Sequence, residues 1–453
     1  MSPRVDMLAR ACLGLLLLTC TLSWSQVDAN RTETAADSTD ETQLQVPPPV
    51  SGQAYPSDFA GDTESNYLRG GVTISSAYSS NISGSTSNPI SDMSYSIWPT
   101  LTMDKTTSRL HLLLSYSPGF TFYQHTSAYN QSNQNVALNY QYRLSPNLTV
   151  NLQDTFYKTS NVFNQPNPFS ATPVSGSVPA QSVAVIAPVA DQLSNSASAQ
   201  LNYQVSAVGM VGATGTFAQL YYPNQTQASG LFSSRSDGGS VFYSQQLGEK
   251  YYLGGTYQYQ NVLSYQAEAT SQQTQTQTQT IFLFLTIYLK PKLSLSVSGG
   301  PQHYRATQSP FPASASWAPM TMVSLGWQGD RTTLAASYAR TVTGGGGLNG
   351  AFQSTSATAS GGWQMSRTWS VGISGSYSNY KTLTPSFLSS SSGGHTLLGT
   401  VSLQRSLTDH LNVQFGYSWI HQNYQDIAAI SSSPNINRAF VSINYQFTRP
   451  LHR

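Results

Sequence analysis

The chain has 453 residues, of which 39% are apolar and only 9% are Asp, Glu, Lys or Arg. Soluble domains carry roughly 25% charge, so this composition excludes an ordinary soluble surface. Disorder is excluded as well, because disordered chains combine high net charge with few aromatics. Here the formal net charge is +2 and there are 27 Tyr, 17 Phe and 7 Trp.

At the N-terminus, Arg4 and Arg10 precede a short apolar run from Ala11 to Cys20, and Ser23 and Ser25 follow it. A basic start, a short apolar stretch and small residues at the exit predict a secretory signal peptide over 1–25. The rival reading, acylation of Cys20, meets Thr19 where a smaller residue is preferred. No later segment reaches about 18 consecutive apolar residues, which excludes a helical membrane protein. Cys12 and Cys20 both fall in the signal, so the mature chain is expected to form no disulfide.

Residues 26–64 hold eight acids against the single base Arg31, with Pro47-Pro48-Pro49 and scattered Ala, Thr and Gly. This composition cannot bury a core, and it predicts an acidic, flexible periplasmic arm.

From 65 to 453 the apolar residues recur with period two. Leu411, Val413, Phe415, Tyr417 and Trp419 alternate with Asn412, Gln414, Gly416 and Ser418. Val441, Ile443, Tyr445 and Phe447 alternate with Ser442, Asn444 and Gln446. Period two places one set on each face of a strand. The polar face is Ser, Thr, Asn, Gln and Gly, where a soluble sandwich would carry charge.

The connectors alternate in length. Short turns are predicted at Asp104–Ser108, Ser145–Asn147, Ala207–Gly209, Gly248–Lys250, Lys290–Lys292, Gly329–Arg331, Ser366–Thr368 and Thr408–His410. Long polar stretches lie at about 79–91, 125–133, 160–195, 223–236, 263–272, 306–317, 343–350, 382–394 and 424–435. Eight turns and nine long connections make 18 strands, with 16 as the competing count, and an even number sets both ends on one side. The fold class is therefore all-β: one closed antiparallel transmembrane barrel, which leaves no sheet edge and no unpaired backbone in lipid.

The leader, the alternating runs over 67–448 and the terminal Tyr445-Gln446-Phe447 resemble Gram-negative outer-membrane β-barrels of the porin size class. The resemblance implies residence in the outer membrane with both termini in the periplasm. It also implies lipid and the barrel-insertion machinery as partners, the terminal aromatic resembling the insertion signal. Thr448–Arg453 follow Phe447 and depart from that pattern.

The seven histidines show no metal-ligand spacing, and no nucleophile elbow, phosphate loop or dinucleotide fingerprint is present. No enzyme, cofactor, metal or nucleic-acid partner is expected. Charge is more informative. Ten of the 19 acids and 18 of the 21 bases lie beyond residue 64, so the barrel carries a surplus of about eight positive charges that the total conceals. Lys158, Arg235, Arg305, Arg340, Lys381 and Arg438 lie near the long loops and are the candidate pore-selectivity residues.

One strand breaks the alternation. Gln275–Thr280 leads into Ile281-Phe282-Leu283-Phe284-Leu285, apolar on both faces. The favoured explanation is an infolded loop, for which 160–195 is long and apolar enough; a second protomer or an apolar ligand track are the others. Tyr251, Tyr252, Tyr257, Tyr259, Tyr377 and Tyr380 are expected in interfacial girdles. The functional expectation is passive diffusion of small hydrophilic solutes with weak anion preference, the barrel standing alone or as a homo-oligomer. The alternative is a non-conducting or gated barrel acting in envelope assembly or polysaccharide export.

Overall fold

The computed structural model describes residues 66–84, 88–159, 190–224, 227–228, 230–266, 269–290, 292–308, 312–383, 393–424 and 435–450. The expected signal peptide (1–25) and acidic arm (26–64) lie outside the described residues.

The first six strands are β1 (Asn66–Ser79), β2 (Asp92–Thr106), β3 (Leu110–Tyr123), β4 (Gln131–Ser145), β5 (Leu148–Thr159) and β6 (Gln192–Gln204). There follow β7 (Gly209–Tyr221), β8 (Ser233–Leu247), β9 (Tyr251–Gln266), β10 (Ala269–Lys290), β11 (Leu293–Gln308) and β12 (Ser314–Gln328). The last six are β13 (Thr332–Gly344), β14 (Ala351–Gln364), β15 (Trp369–Thr382), β16 (Gly394–Ser406), β17 (Leu411–Tyr424) and β18 (Asn435–Pro450). Each strand pairs antiparallel with the next, and β1 closes on β18 with Tyr67 opposite Pro450. The result is a closed 18-stranded barrel, as expected of a porin-size outer-membrane protein.

All eight short turns gather at one end of the barrel, the turn end, together with Asn66 and Pro450. There Lys292 donates to the Asp330 carboxylate across neighbouring turns. The opposite, loop end differs in detail from the sequence reading. β9 and β10 fill most of the stretch expected as a loop at 263–272, β9 running to Gln266 and β10 starting at Ala269 opposite it. β11 and β12 likewise shorten the 306–317 loop to 309–313, and β2 runs two residues past Asp104.

The outer face is an apolar belt. On β10 it runs through Ile281 and Leu283, 60% and 66% exposed, as far as Leu289. On β12 it is bounded by Trp317 and Trp327, both exposed. Ten residues at about 3.3 Å each, tilted roughly 40°, span about 25 Å, the height of a lipid-facing band between aromatic girdles. Of the expected girdle tyrosines, Tyr251, Tyr257, Tyr259 and Tyr377 share the parity of this face. Tyr252 and Tyr380 have the opposite parity, and Tyr380 is buried inside the barrel at the loop end.

Candidate functional site

The inner face is built from the alternate residues of each strand, and most of these are Ser, Thr, Asn, Gln and Gly. Neighbouring strands tie their hydroxyls and amides together. Ser96 Oγ and Thr121 Oγ1 lie 2.9 Å apart, Thr286 Oγ1 and Ser296 Oγ 2.7 Å, and Ser337 Oγ and Thr358 Oγ1 2.7 Å. Gln260 Nε2 donates to Ser236 Oγ at 2.9 Å, and Asn444 Nδ2 to Thr73 Oγ1 at 2.7 Å. Such cross-strand pairs tie parts of the polar face together, and the face as a whole is a largely uncharged, hydrophilic wall.

The carboxylates on this face are engaged. At the loop end, Asp92 accepts from the His125 and Thr126 backbone N–H groups at 3.0 and 2.9 Å, and from Thr126 Oγ1 at 2.6 Å. At the turn end, Asp104 stands 3.6 Å from Arg69 Nη2 and 3.9 Å from His111 Nε2. Among the described residues, no group of three His, Cys, Asp or Glu converges on a metal-sized site.

The six candidate bases do not come together. Lys158 shares the outer face of β5 with exposed Leu152. Arg235 shares that of β8 with exposed Val241 and Tyr243, and its guanidinium lies 5.4 Å over the Phe217 ring. Arg305 follows Val297 outward on β11, and Lys381 follows Ile373 and Tyr377 outward on β15. Arg340 has the parity of exposed Leu334 and Tyr338, and its Nη2 donates to Gln353 Oε1 at 3.0 Å. Arg438 alone of the six has inner-face parity. It is 9% exposed, paired with Ser79 across the closure, with its guanidinium 6.0 Å from the Phe440 ring. Parity was readable in the sequence, since each outward base lies an even number of residues from an apolar belt residue.

At the loop end a hairpin folds into the barrel. It is the β13–β14 connection, Gly345–Gly350, and φ is +80°, +69° and +98° at Gly345, Gly346 and Gly347. L-residues with a Cβ pay about 1–2 kcal/mol for that backbone, so the glycine run permits a turn that other sequences resist. A Cβ added to Gly344 would sit 2.9 Å from Thr276 on the inner side of β10. The Gly346 N–H donates to Ser234 Oγ at 3.4 Å, and the Phe232 N–H donates to the Gly347 carbonyl at 3.0 Å. Around this tip, Tyr222, Leu231, Leu348, Phe352 and Tyr424 form one buried apolar cluster. Its members come from β7–β8 on one side and β14–β17 on the other, so the mouth is bridged. Among the described residues, the infolded element is this glycine hairpin. The 160–195 stretch expected in that role lies outside the described residues from 160 to 189, and β6 takes up its end from Gln192.

Phe282 and Phe284 do point inward, but they pack on Met320 and Met322 of the wall, two strands away. The register sets Ser298 between Phe284 and Met322, so a small β11 residue leaves room for the two large ones to meet over it. Phe284 also lies over Gly254, where an added Cβ would come within 2.2 Å of the ring.

Two acids depart from the outer pattern, Asp237 beside Arg235 on β8 and Asp154 on β5. Asp154 lies in the belt between Leu152 and Phe156, against Leu138 and Ala197 of the adjoining strands, and accepts from Asn195 Nδ2 at 2.9 Å. Beside it, Ala199, Ala213, Gly215 and Gly239 floor a shallow depression of about 500 Å³ on the outer surface.

No family model and no curated protein matches the chain. Solved structures do align with it. The Pseudomonas aeruginosa channel OccK2 (OpdF) is 10% identical over 85% of this chain and 98% of its own, with a TM-score of 0.43. Acinetobacter baumannii OccAB4 is 10% identical over 85% and 99%, TM-score 0.40. The siderophore receptor PirA from Pseudomonas aeruginosa is 12% identical over 85% and 81%, TM-score 0.40. At such values the likeness reaches no further than the barrel.

Proposed function

We propose that the chain is an outer-membrane channel through which small polar solutes diffuse, narrowed at its outer mouth by the β13–β14 hairpin. The observation that carries this is the pairing of a neutral hydrophilic inner face with a glycine-hinged hairpin folded into it. Barrels of 16–18 strands have room for an aqueous path. The tightest point then sets the size limit.

In this reading residues 1–25 direct export, the turn end faces the periplasm and the hairpin faces outward. The reading includes a weak anion preference, for which Arg438, the candidate base with inner-face parity, is the residue to test. Bases that sit outside meet lipid phosphates and contribute little to the path. The apolar cluster across the mouth supports a second reading, a barrel that conducts only when the hairpin is displaced.

Single-channel recording of the refolded barrel in planar bilayers tests both. Long-lived openings with anion-positive selectivity in a salt gradient are expected for the first reading. Rare, brief openings that become continuous on removing 345–349 are expected for the second. A folded barrel silent in both forms would overturn the channel.

A further inference from the structure

Between β12 and β13 the wall comes apart at the loop end. Their pairing runs from Gln328 opposite Thr333 up to Thr321 opposite Arg340, and there it stops. Yet β12 extends back to Ser314 and β13 on to Gly344. The same register would set Val342 against Pro319, which has no N–H to give.

Val342 finds its partner elsewhere. Its N–H donates to Gln302 Oε1 at 2.7 Å, and Gln302 Nε2 donates to its carbonyl at 3.1 Å. A side-chain amide of β11 thus replaces the missing peptide, offering the same donor and acceptor. Thr341 Oγ1 donates to the same Oε1 at 3.2 Å. Val342 and Ala351 pack with Tyr304 and Ala306 of β11, and Ala318 of β12 adds to the cluster. The wall overlaps itself here, the end of β13 lying inside β11 and β12.

This seam joins two unlike surroundings. Outside it stands Trp317, 68% exposed, its ring 5.0 Å from that of His303. Inside it lies the Phe282, Phe284, Met320 and Met322 patch, in a wall otherwise rich in hydroxyls and amides. At its root is Arg340, with Nη2 held by Gln353 and a buried Nε that has no hydrogen-bond partner.

We propose that the seam is a lateral portal between the barrel interior and the surrounding lipid, for a solute with a single apolar chain and an anionic end. Arg340 receives the anion and the Phe–Met patch receives the chain. Opening requires withdrawal of the end of β13, which breaks the Gln302–Val342 pair and no ladder hydrogen bond to β12. The route is separate from the axial polar path.

The test uses the full barrel with Cys12 and Cys20 replaced by Ser, and radiolabelled dodecanoate as the probe. Ala318→Cys with Val342→Cys places a disulfide across the seam. Saturable dodecanoate binding is expected to fall at least tenfold on oxidation and to return on reduction. Arg340→Gln is expected to weaken binding about tenfold without a crosslink, and Gln302→Leu to speed its onset several-fold. Binding at equal rate and affinity in the oxidised and reduced forms would overturn the portal, as would the absence of saturable binding to the uncrosslinked barrel. Salt conductance of the same proteins reads the axial path, so failure there leaves this result distinct.

Discussion

The Phe232 N–H donates to the Gly347 carbonyl oxygen at 3.0 Å, joining two connections that 115 positions of sequence separate. The bond holds the glycine hairpin against the opposite side of the mouth, with Leu231 and Leu348 buried beside it. In the proposed channel, a small backbone event at the tip sets what the barrel admits.

Gly346→Ala with Gly347→Ala removes the backbone freedom that the tip uses, at about 1–2 kcal/mol for each residue. The tip is expected to leave its seat and conductance to rise several-fold. Gly248→Ala is the control: its φ is +75°, but it sits in a turn-end connection with nothing within 4 Å of an added Cβ. A double variant conducting like the parent would show that the hairpin does not limit flow.

Arg438→Ala is expected to reduce anion preference, read as a shift of the reversal potential toward zero in a salt gradient. Lys158→Ala, Arg235→Ala, Arg305→Ala and Lys381→Ala are expected to leave it unchanged, since their parity is that of the lipid-facing belt. A larger shift from any of these four than from Arg438→Ala would contradict the assignment of faces.

Phe284→Ala is expected to destabilise the barrel by about 3 kcal/mol, in the range for truncating a buried aromatic. Phe284 is 3% exposed and packed with Met320 and Met322. Guanidinium titration in lipid vesicles measures the loss. A cost under about 1 kcal/mol would mean that the cluster is not close-packed.

Asp154→Leu addresses the acid in the belt. A carboxylate facing lipid carries a desolvation cost that Asn195 only partly offsets. The leucine variant is expected to be more stable by about 1 kcal/mol in the same titration. A loss of stability instead would assign this face, with its neighbouring depression, to contact with another protein.

The barrel is legible along the chain. Strand periodicity is local, so Leu411 to Trp419 declare their faces without help from distant residues, and the alternation of short and long connectors points to 18 strands over 16, the count at which β1 closes on β18. Parity also carried the direction of Arg235 and Lys381, although nearness to the long loops had grouped them with Arg438. The seat of the Gly345–Gly350 connection and the parting of the wall beyond Arg340 are matters of tertiary structure. Both depend on distant partners: Gly347 on Phe232, and Val342 on Gln302 once Pro319 cannot serve it. Those choices follow from competition among surfaces that meet only when the barrel closes, and no window of neighbouring residues contains both sides of the competition.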